Sequence, residues 1–347
     1  MSGLLIRADA DATIGSGHVM RCLAMARSVI RSKRQVSFAI ATDAGPLHER
    51  LAALGCEVTK VPHVPGSMED AIYTAKIAKD RKASHLLLDG YHFSADYQSI
   101  FVGKGLRTLF VDDNSEQQFY HTDYVVNPNS YADKRLYPSK KLASHTQLLL
   151  GLKYCSLRDE FVGMPPKSHT PIKDFARVLV TLGGGDPDNN VLKVIQALQS
   201  VNLPIEATIV AGPHNPHYEG LLKAVRQDRS IVLIQQTDDM ASLMAHAHIA
   251  ISAGGGTAYE LIAMLTPFLV IVTAENQRAF AEDAHAKGMA LNLGWHEQAT
   301  PADIRKGVES LLANSQLRSN IIHKQKSIRD TAFDPDWLAR LILGETP

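Results

Sequence analysis

Ile14-Gly15-Ser16-Gly17-His18 stands between a short apolar run, Leu4-Leu5-Ile6, and a stretch in which Val19, Leu23, Ala26 and Ile30 recur at helical spacing. The unit reads as strand, glycine loop, helix. Glycine lets the backbone turn tightly and come close to a ligand. In an open parallel sheet such a loop lies at the carboxyl end of a strand, where ligands bind, and the N–H groups of the following helix start favour an anion. His18 holds the mouth of that helix and faces whatever the loop holds. On spacing alone, Gly-x-Gly also fits a plain turn, with His18 an exposed first-turn residue. A dinucleotide fingerprint fits less well, because Met20 occupies the place of a third glycine and no Gly-Lys-Ser/Thr signature occurs.

Outward from this unit the first half alternates apolar strands with amphipathic helices. Strands are expected at Leu4–Ala8, Val36–Ala41, Glu57–Val61, Leu86–Asp89, Thr108–Val111 and Tyr124–Val126, and helices at His18–Arg31, Leu47–Leu54, Met68–Lys79 and Ala95–Gly103. Apolar strands separated by helices imply a parallel sheet covered on both faces. The rhythm breaks between residues 128 and 175, where Pro128, Pro138, Pro165, Pro166 and Pro171 fall, and Met164–Lys173 has a linker's composition. It restarts with Arg177–Leu182, a glycine loop and a helix from about Asn189 to Gln199, followed by strands at Ile205–Val210, Ser230–Ile234, His248–Ser252 and Phe268–Val272. The tail Pro335–Leu343 reads as a short helix that can cross back onto the first half.

Composition narrows the classes of function. A chain of 347 residues exceeds the usual single core, so two domains are expected. With 36 basic and 36 acidic residues there is no electrostatic case for nucleic acid or an anionic membrane. No apolar run reaches the roughly 18 residues of a membrane helix and no signal core follows the N-terminus, so a soluble, cytoplasmic protein is expected. Cys22, Cys56 and Cys155 are far apart and read as buried thiols. Among the 15 histidines, His246 with His248 and His214 with His217 are closely spaced, but no metal-ligand motif forms and they read as surface or loop residues.

Two further glycine sites could carry chemistry. Leu182-Gly183-Gly184-Gly185-Asp186-Pro187 again joins strand to helix. Ser252-Ala253-Gly254-Gly255-Gly256-Thr257-Ala258-Tyr259-Glu260-Leu261 is the stronger signal: backbone N–H groups and one hydroxyl at a helix start make a phosphate cradle. Glu260 either closes a capping box with Thr257 or accepts the hydroxyls of a ribose. Asn276 and Gln277 follow the next strand and can donate and accept. Asp9 and Asp11 are either alternative bases or loop hydrogen-bonding groups. Asp112-Asp113 reads as a turn or sugar contact in preference to a metal site, and Arg158 with Glu160 as a substrate or interdomain contact or a surface ion pair.

Together, Arg7-x-Asp9, Ile14-Gly15-x-Gly17-His18-x-x-Arg21, Asp89-x-Tyr91, Asp112-Asp113, Asn127-Pro128-Asn129, Gly151-x-x-Tyr154-x-x-Leu157-Arg158-x-Glu160-Phe161, Gly183-Gly184-Gly185-Asp186-Pro187, Gly255-Gly256-Thr257-x-x-Glu260 and Glu275-Asn276-Gln277 resemble the UDP-2,4-diacetamido-2,4,6-trideoxy-β-L-altropyranose hydrolases of pseudaminic acid biosynthesis. More distantly the chain is similar to the N-acetylglucosaminyltransferase that makes lipid II. The resemblance implies a GT-B fold, two Rossmann-like domains whose parallel sheets face a central cleft. Residues 1–163 would form the sugar and base side, 164–173 the linker, 174–330 the UDP-binding domain and 331–347 the returning helix. It implies His18 as general base for water with Tyr91 and Asn276 beside the reacting centre, Glu260 at the ribose, Gly255, Gly256 and Thr257 at the diphosphate, and the 231–240 loop at the uracil. Asp9, Gly15, Gly17, Arg21, Asp89, Arg158, Gly183, Gly184 and Gln277 are the further residues expected to contact the UDP-linked diacetamido sugar.

The chemistry is reasonable for these residue types. UDP is already a good leaving group, so the enzyme must hold diphosphate charge and deliver water to the anomeric carbon. A helix start supplies roughly half a positive charge plus N–H donors, so neither a metal nor a cofactor is required. Histidine can accept a proton near neutrality. An inverting glycosyltransferase of the same fold needs the same cradle and base, whereas a non-catalytic sensor needs only the cradle.

Overall fold

The computed structural model describes residues 3–10, 17–42, 46–162, 164 and 171–345. The chain divides into two compact units, one made of Met1–Asp159 with Ala332–Pro347 and the other of Glu160–Thr331.

The first unit runs β1 (Gly3–Ala8), α1 (Gly17–Arg31), β2 (Val36–Ile40), α2 (Pro46–Ala53), β3 (Glu57–Lys60), α3 (Met68–Asp80), β4 (Ala83–Asp89), α4 (Ala95–Ser99), β5 (Arg107–Val111), β6 (Tyr124–Asn127) and β7 (Gln147–Leu150). All seven strands pair in parallel, in the order β3-β2-β1-β4-β5-β6-β7. Strand alternation sorts β1 onto two faces. Leu4, Ile6 and Ala8 join the apolar side of α1, while Leu5 packs with Leu86, Leu88, Phe93 and Tyr97 on the other face. The same alternation sends Leu87 toward α1, and Asp89, two residues on, follows it. That parity brings a carboxylate to the histidine.

The second unit runs β8 (Ala176–Thr181), α5 (Asn190–Gln199), β9 (Ile205–Val210), α6 (Tyr218–Val225), β10 (Ile231–Ile234), α7 (Met240–His246), β11 (Ile249–Ala253), α8 (Gly256–Ala263), β12 (Phe268–Val272), α9 (Arg278–Ala286), β13 (Leu291–Trp295), α10 (Pro301–Ala313) and α11 (Ser315–Ala332). Its six parallel strands are ordered β10-β9-β8-β11-β12-β13. The last helix, α12 (Trp337–Leu343), belongs to the first unit. Trp337 is fully buried there, meets Tyr154 edge-on at 5.5 Å and donates to Ser156 Oγ at 3.1 Å. Arg31 of α1 adds an ion pair to Asp336 at 2.8 Å.

The structure departs from the expected elements in several places. Strand β7 lies inside the proline-rich stretch read as a break, because four residues suffice for an edge strand once β6 offers a partner. Helix α4 ends at Ser99, short of Gly103, and the chain passes through Gly103 at φ +75°. Strand β13 was not anticipated, since Asn292 and Gly294 interrupt its apolar pattern and its residues are only half-buried. His248 corrects the surface reading: it is buried, and its Nδ1 accepts from the Arg177 amide at 2.9 Å. All three cysteines are buried. No described helix is long and apolar enough to cross a membrane.

His85 in β4 gives the first unit a pH-dependent stability. Burial, with Arg107 nearby, holds its imidazole down to about 4 against an ordinary 6.5, partly opposed by Asp123. The unfolded chain therefore binds a proton at His85 in a window where the folded chain does not, so stability falls as pH drops from about 6.5 to about 4 and this contribution then levels off. Denaturant unfolding at pH 7 and pH 4.5 should show that loss in the wild type and a smaller one in His85→Gln.

Candidate active site

In both sheets the strand order reverses beside the first strand of the unit, between β1 and β4 and between β8 and β11. In sheets of this kind ligands usually bind outside the carboxyl ends of the strands at such a reversal. His18, Arg21, Asp89 and Tyr91 come together at the first of these points, and the glycine loops Gly183–Gly185 and Gly254–Gly256 follow the two strands at the second.

In the first unit, α1 presents His18, Arg21 and Cys22 on one face, and the end of β4 presents Asp89. His18 Nδ1 lies 2.7 Å from Asp89 Oδ1, and Arg21 reaches the same carboxylate through Nε at 2.8 Å and Nη2 at 2.7 Å. Arg21 Nη1 extends to both oxygens of Asp113 at 2.8 Å, and Asn129 Nδ2 donates to Asp113 Oδ1 at 2.9 Å. Cys22 Sγ donates to Asp89 Oδ2 at 3.4 Å. Tyr91 sets its ring edge-on to His18, with centroids 5.0 Å apart and planes at 83°, and its hydroxyl lies 3.4 Å from Asp113 Oδ2.

Burial disfavours the charged form of Asp89, but the Arg21 charge and the hydrogen bonds from His18 and Arg21 outweigh it and hold the carboxyl well below the usual range. Burial likewise opposes the charge on Arg21, and Asp113 and Asp89 together raise it well above its ordinary value. An ionised carboxylate can only accept, so the Asp89 contact places a hydrogen on His18 Nδ1. In the neutral ring Nε2 then carries the lone pair. The His18 side chain is 13 % exposed.

Asp9 does not join this group. It is buried, with Oδ1 accepting from Ala41 N at 2.7 Å and Oδ2 lying 2.8 Å from Arg7 Nη1 and 3.1 Å from His92 Nε2. Burial pushes its carboxyl up, but the neighbouring His92 and Arg7 side chains outweigh it and hold the carboxyl well below the usual range. Its bonds are those of the loop-anchoring alternative. Gly17 opens α1, whereas Asp11, Ile14, Gly15 and Ser16 lie outside the described residues. Arg158 is half-buried in the first unit, just before Asp159, whose carboxylate pairs with Arg27 and Arg31 of α1 at 3.0 Å each. Asp112 forms a turn, accepting from Asn114 N at 3.2 Å, Ser115 N at 3.0 Å and Tyr120 Oη at 2.5 Å.

In the second unit the two glycine loops differ in one respect that decides where an anion can sit. After β8, Gly183 adopts φ +99°, and the Asp186 carboxylate accepts from the amides of Asn190 and Val191 at 2.8 Å each. The start of α5 is therefore already capped by a carboxylate. After β11 the cap of α8 is Gly255, which has no side chain to offer, so the α8 start lacks a side-chain cap. Thr257 lies inside α8, so Thr257 and Glu260 do not form a capping box. Glu260 is 6 % exposed. Gln277 Oε1 gathers Gly254 N at 3.2 Å, Thr273 N at 3.0 Å and Thr273 Oγ1 at 3.2 Å, tying the loop after β12 to the glycine loop. Asn276 is exposed on that same turn.

Asn129 and Gly212 were absent from the expected contacts, and Asp113 stood between a turn and a sugar contact. Asp113 and Asn129 complete the Arg21 network, and the signal available was their position just past β5 and β6, where such sheets place ligand groups. Gly212, after β9, approaches the Gly183–Gly184 loop so closely that a Cβ would lie 2.5 Å from Gly183 O. His214 N donates to Gly184 O at 2.9 Å and fixes that approach.

Residues 178–333 match the profile of the glycosyltransferase family 28 C-terminal domain. Over 92 % of its length the chain is 28 % identical to the spore coat polysaccharide biosynthesis protein SpsG of Bacillus subtilis, covering 91 % of that protein. It is 24 % identical to the UDP-2,4-diacetamido-2,4,6-trideoxy-β-L-altropyranose hydrolase of Campylobacter jejuni, over 82 % of this chain and 97 % of that one. Among solved structures it is similar to Acinetobacter baumannii MurG, with a TM-score of 0.66, 17 % identity and 98 % of each chain covered. These likenesses support an enzyme of the sugar-nucleotide kind, and with two parallel-sheet α/β units the chain has the GT-B fold.

Proposed function

We propose that the protein is a nucleotide-sugar hydrolase that releases UDP and free 2,4-diacetamido-2,4,6-trideoxy-L-altrose from the UDP-sugar, in pseudaminic acid biosynthesis. The observation that carries the reading is the Asp89–His18 contact of 2.7 Å, which leaves Nε2 as a proton acceptor at the switch point of the first sheet. In this reading His18 takes a proton from water as the oxygen bonds to the anomeric carbon, and the bond from that carbon to the UDP oxygen breaks. The uncapped start of α8, with Gly255, Gly256 and Thr257, receives the diphosphate and favours its departing charge. Glu260 takes the ribose, and Tyr91 and Asn276 contact the sugar. Arg21 and Asp89 act through His18 by orienting it. The Campylobacter jejuni hydrolase supports this substrate by its likeness over nearly its whole length.

A second reading is an inverting UDP-sugar glycosyltransferase, favoured by the family 28 profile and the likeness to MurG. There His18 would deprotonate an acceptor hydroxyl. Incubating the purified protein with the UDP-sugar alone separates the two. Free sugar and UDP in equal amounts are expected for hydrolysis, and intact donor that is consumed only when an acceptor is added would replace that reading with transfer.

A further inference from the structure

We infer that His92 is a positioning residue, which ties the turn after β4 to the buried Arg7–Asp9 pair and thereby holds Tyr91 edge-on against His18. The inference rests on the reading of His18 as the base. In Asp89-Gly90-Tyr91-His92, the first and third residues meet His18, while the fourth points to a different cluster: His92 Nε2 lies 3.1 Å from Asp9 Oδ2. That cluster is buried and densely bonded. Arg7, fully buried, bonds Asp70 through Nε at 2.9 Å and Nη2 at 2.8 Å, and Asp70 in turn accepts from Gly66 N at 2.9 Å and Tyr97 Oη at 3.1 Å. Asp9 also holds Ala41 N, so the ends of β1 and β2, the loop before α3 and the turn after β4 are joined through charged groups.

Sterics restrict His92 from two sides. Gly66 adopts φ +80°, and a Cβ there would fall 2.4 Å from His92 O. A Cβ on Gly90 would fall 2.8 Å from His92 Cε1. The imidazole also packs on Phe93 at a centroid distance of 4.1 Å, and Phe93 lies beneath the Arg7 guanidinium at 5.1 Å. Tyr91 itself is 53 % exposed, so burial alone does not fix its ring. Its hydroxyl contact to Asp113 anchors the far end of the ring, and the residue that follows it fixes the backbone from which the ring projects.

The test compares wild type with His92→Phe, His92→Gln, Asp9→Asn and Tyr91→Ala. His18 is titrated by NMR in each, and kcat and KM are measured for the UDP-sugar. His92→Phe keeps a ring but loses the contact to Asp9, so it should displace the His18 titration in the same direction as Tyr91→Ala. It should also lower kcat about 10- to 100-fold, the cost of a misplacement near 1 Å, with KM changed less than about twofold. His92→Gln, which can still donate toward Asp9, should recover most of that kcat. Asp9→Asn keeps the size of the partner and should reproduce the displaced titration if His92→Phe does not fold. A His18 titration in both His92→Phe and Asp9→Asn that matches wild type while Tyr91→Ala moves it would overturn the inference. Because the titration needs no substrate, a wild type that leaves the UDP-sugar intact would defeat the proposed function without touching this result.

Discussion

Replacing His18 with alanine should lower kcat by about 10²–10⁴, or roughly 3–5 kcal/mol of transition-state stabilisation, while UDP affinity changes by less than about threefold. The loss follows from removing the group that accepts the proton of water. Binding is spared because the proposed UDP contacts, Gly255, Gly256, Thr257 and Glu260, belong to α8 and its cap in the second unit. The imidazole is half-buried at the start of α1 and its removal leaves the core of that helix, Val19, Cys22, Leu23 and Ala26, in place. Steady-state kinetics and calorimetric titration with UDP check both halves. Full turnover in His18→Ala would eliminate the assignment.

Asp89→Asn is expected to damage both rate and stability, for two distinct reasons. The residue keeps its size but loses the charge that balances Arg21, whose Nε and Nη2 both bond it at 2.7–2.8 Å. Removing one member of a fully buried pair costs about 3–5 kcal/mol; Asp89 is 1 % exposed, but Arg21 is 25 % exposed and keeps Asp113, so the loss falls below that range. The new amide can also donate to His18 Nδ1, which favours the tautomer with its hydrogen on Nε2 and removes the acceptor. A kcat loss of about 10²–10⁴ is expected on that account. Denaturant unfolding reads the first effect, and kcat measured well below the unfolding midpoint reads the second. A destabilised variant that still turns over at the wild-type rate would separate Asp89 from the chemistry.

Much of the architecture was legible because burial imposes periodicity. Phe268–Val272 has the limits expected from its apolar run, since a strand covered on both faces is apolar throughout and stops where polar residues resume, and Ile205–Val210 has its expected limits with Ile205, Ala207 and Ile209 in the core and Glu206 exposed. Strand β7 and strand β13 were not legible for the converse reason. Each lies at a sheet edge, half-buried, and its pairing comes from a neighbour already in place. At the site, the glycine loops and His18 were visible as residue types, and the register that turns Asp89 toward α1 follows from the apolar residue two positions earlier. Asp9 shows where residue type leaves two readings open: a carboxylate beside a glycine loop suits either a base or a loop hydrogen-bonding group, and its neighbours Arg7, Ala41 and His92 come from three separate chain segments.

The sequence by itself determined the fold class, two parallel sheets each opened by a glycine loop, because alternation, helical spacing and glycine's conformational freedom act over a few residues. Only the tertiary structure decided which polar groups meet. Whether a helix start is open, as at Gly255, or already capped, as by Asp186, and whether a carboxylate orients the histidine, as Asp89 does, or anchors a loop, as Asp9 does, depends on contacts across dozens of residues. Hydrogen bonds of that range are set by how strands are ordered in the sheet, and no local pattern carries that order.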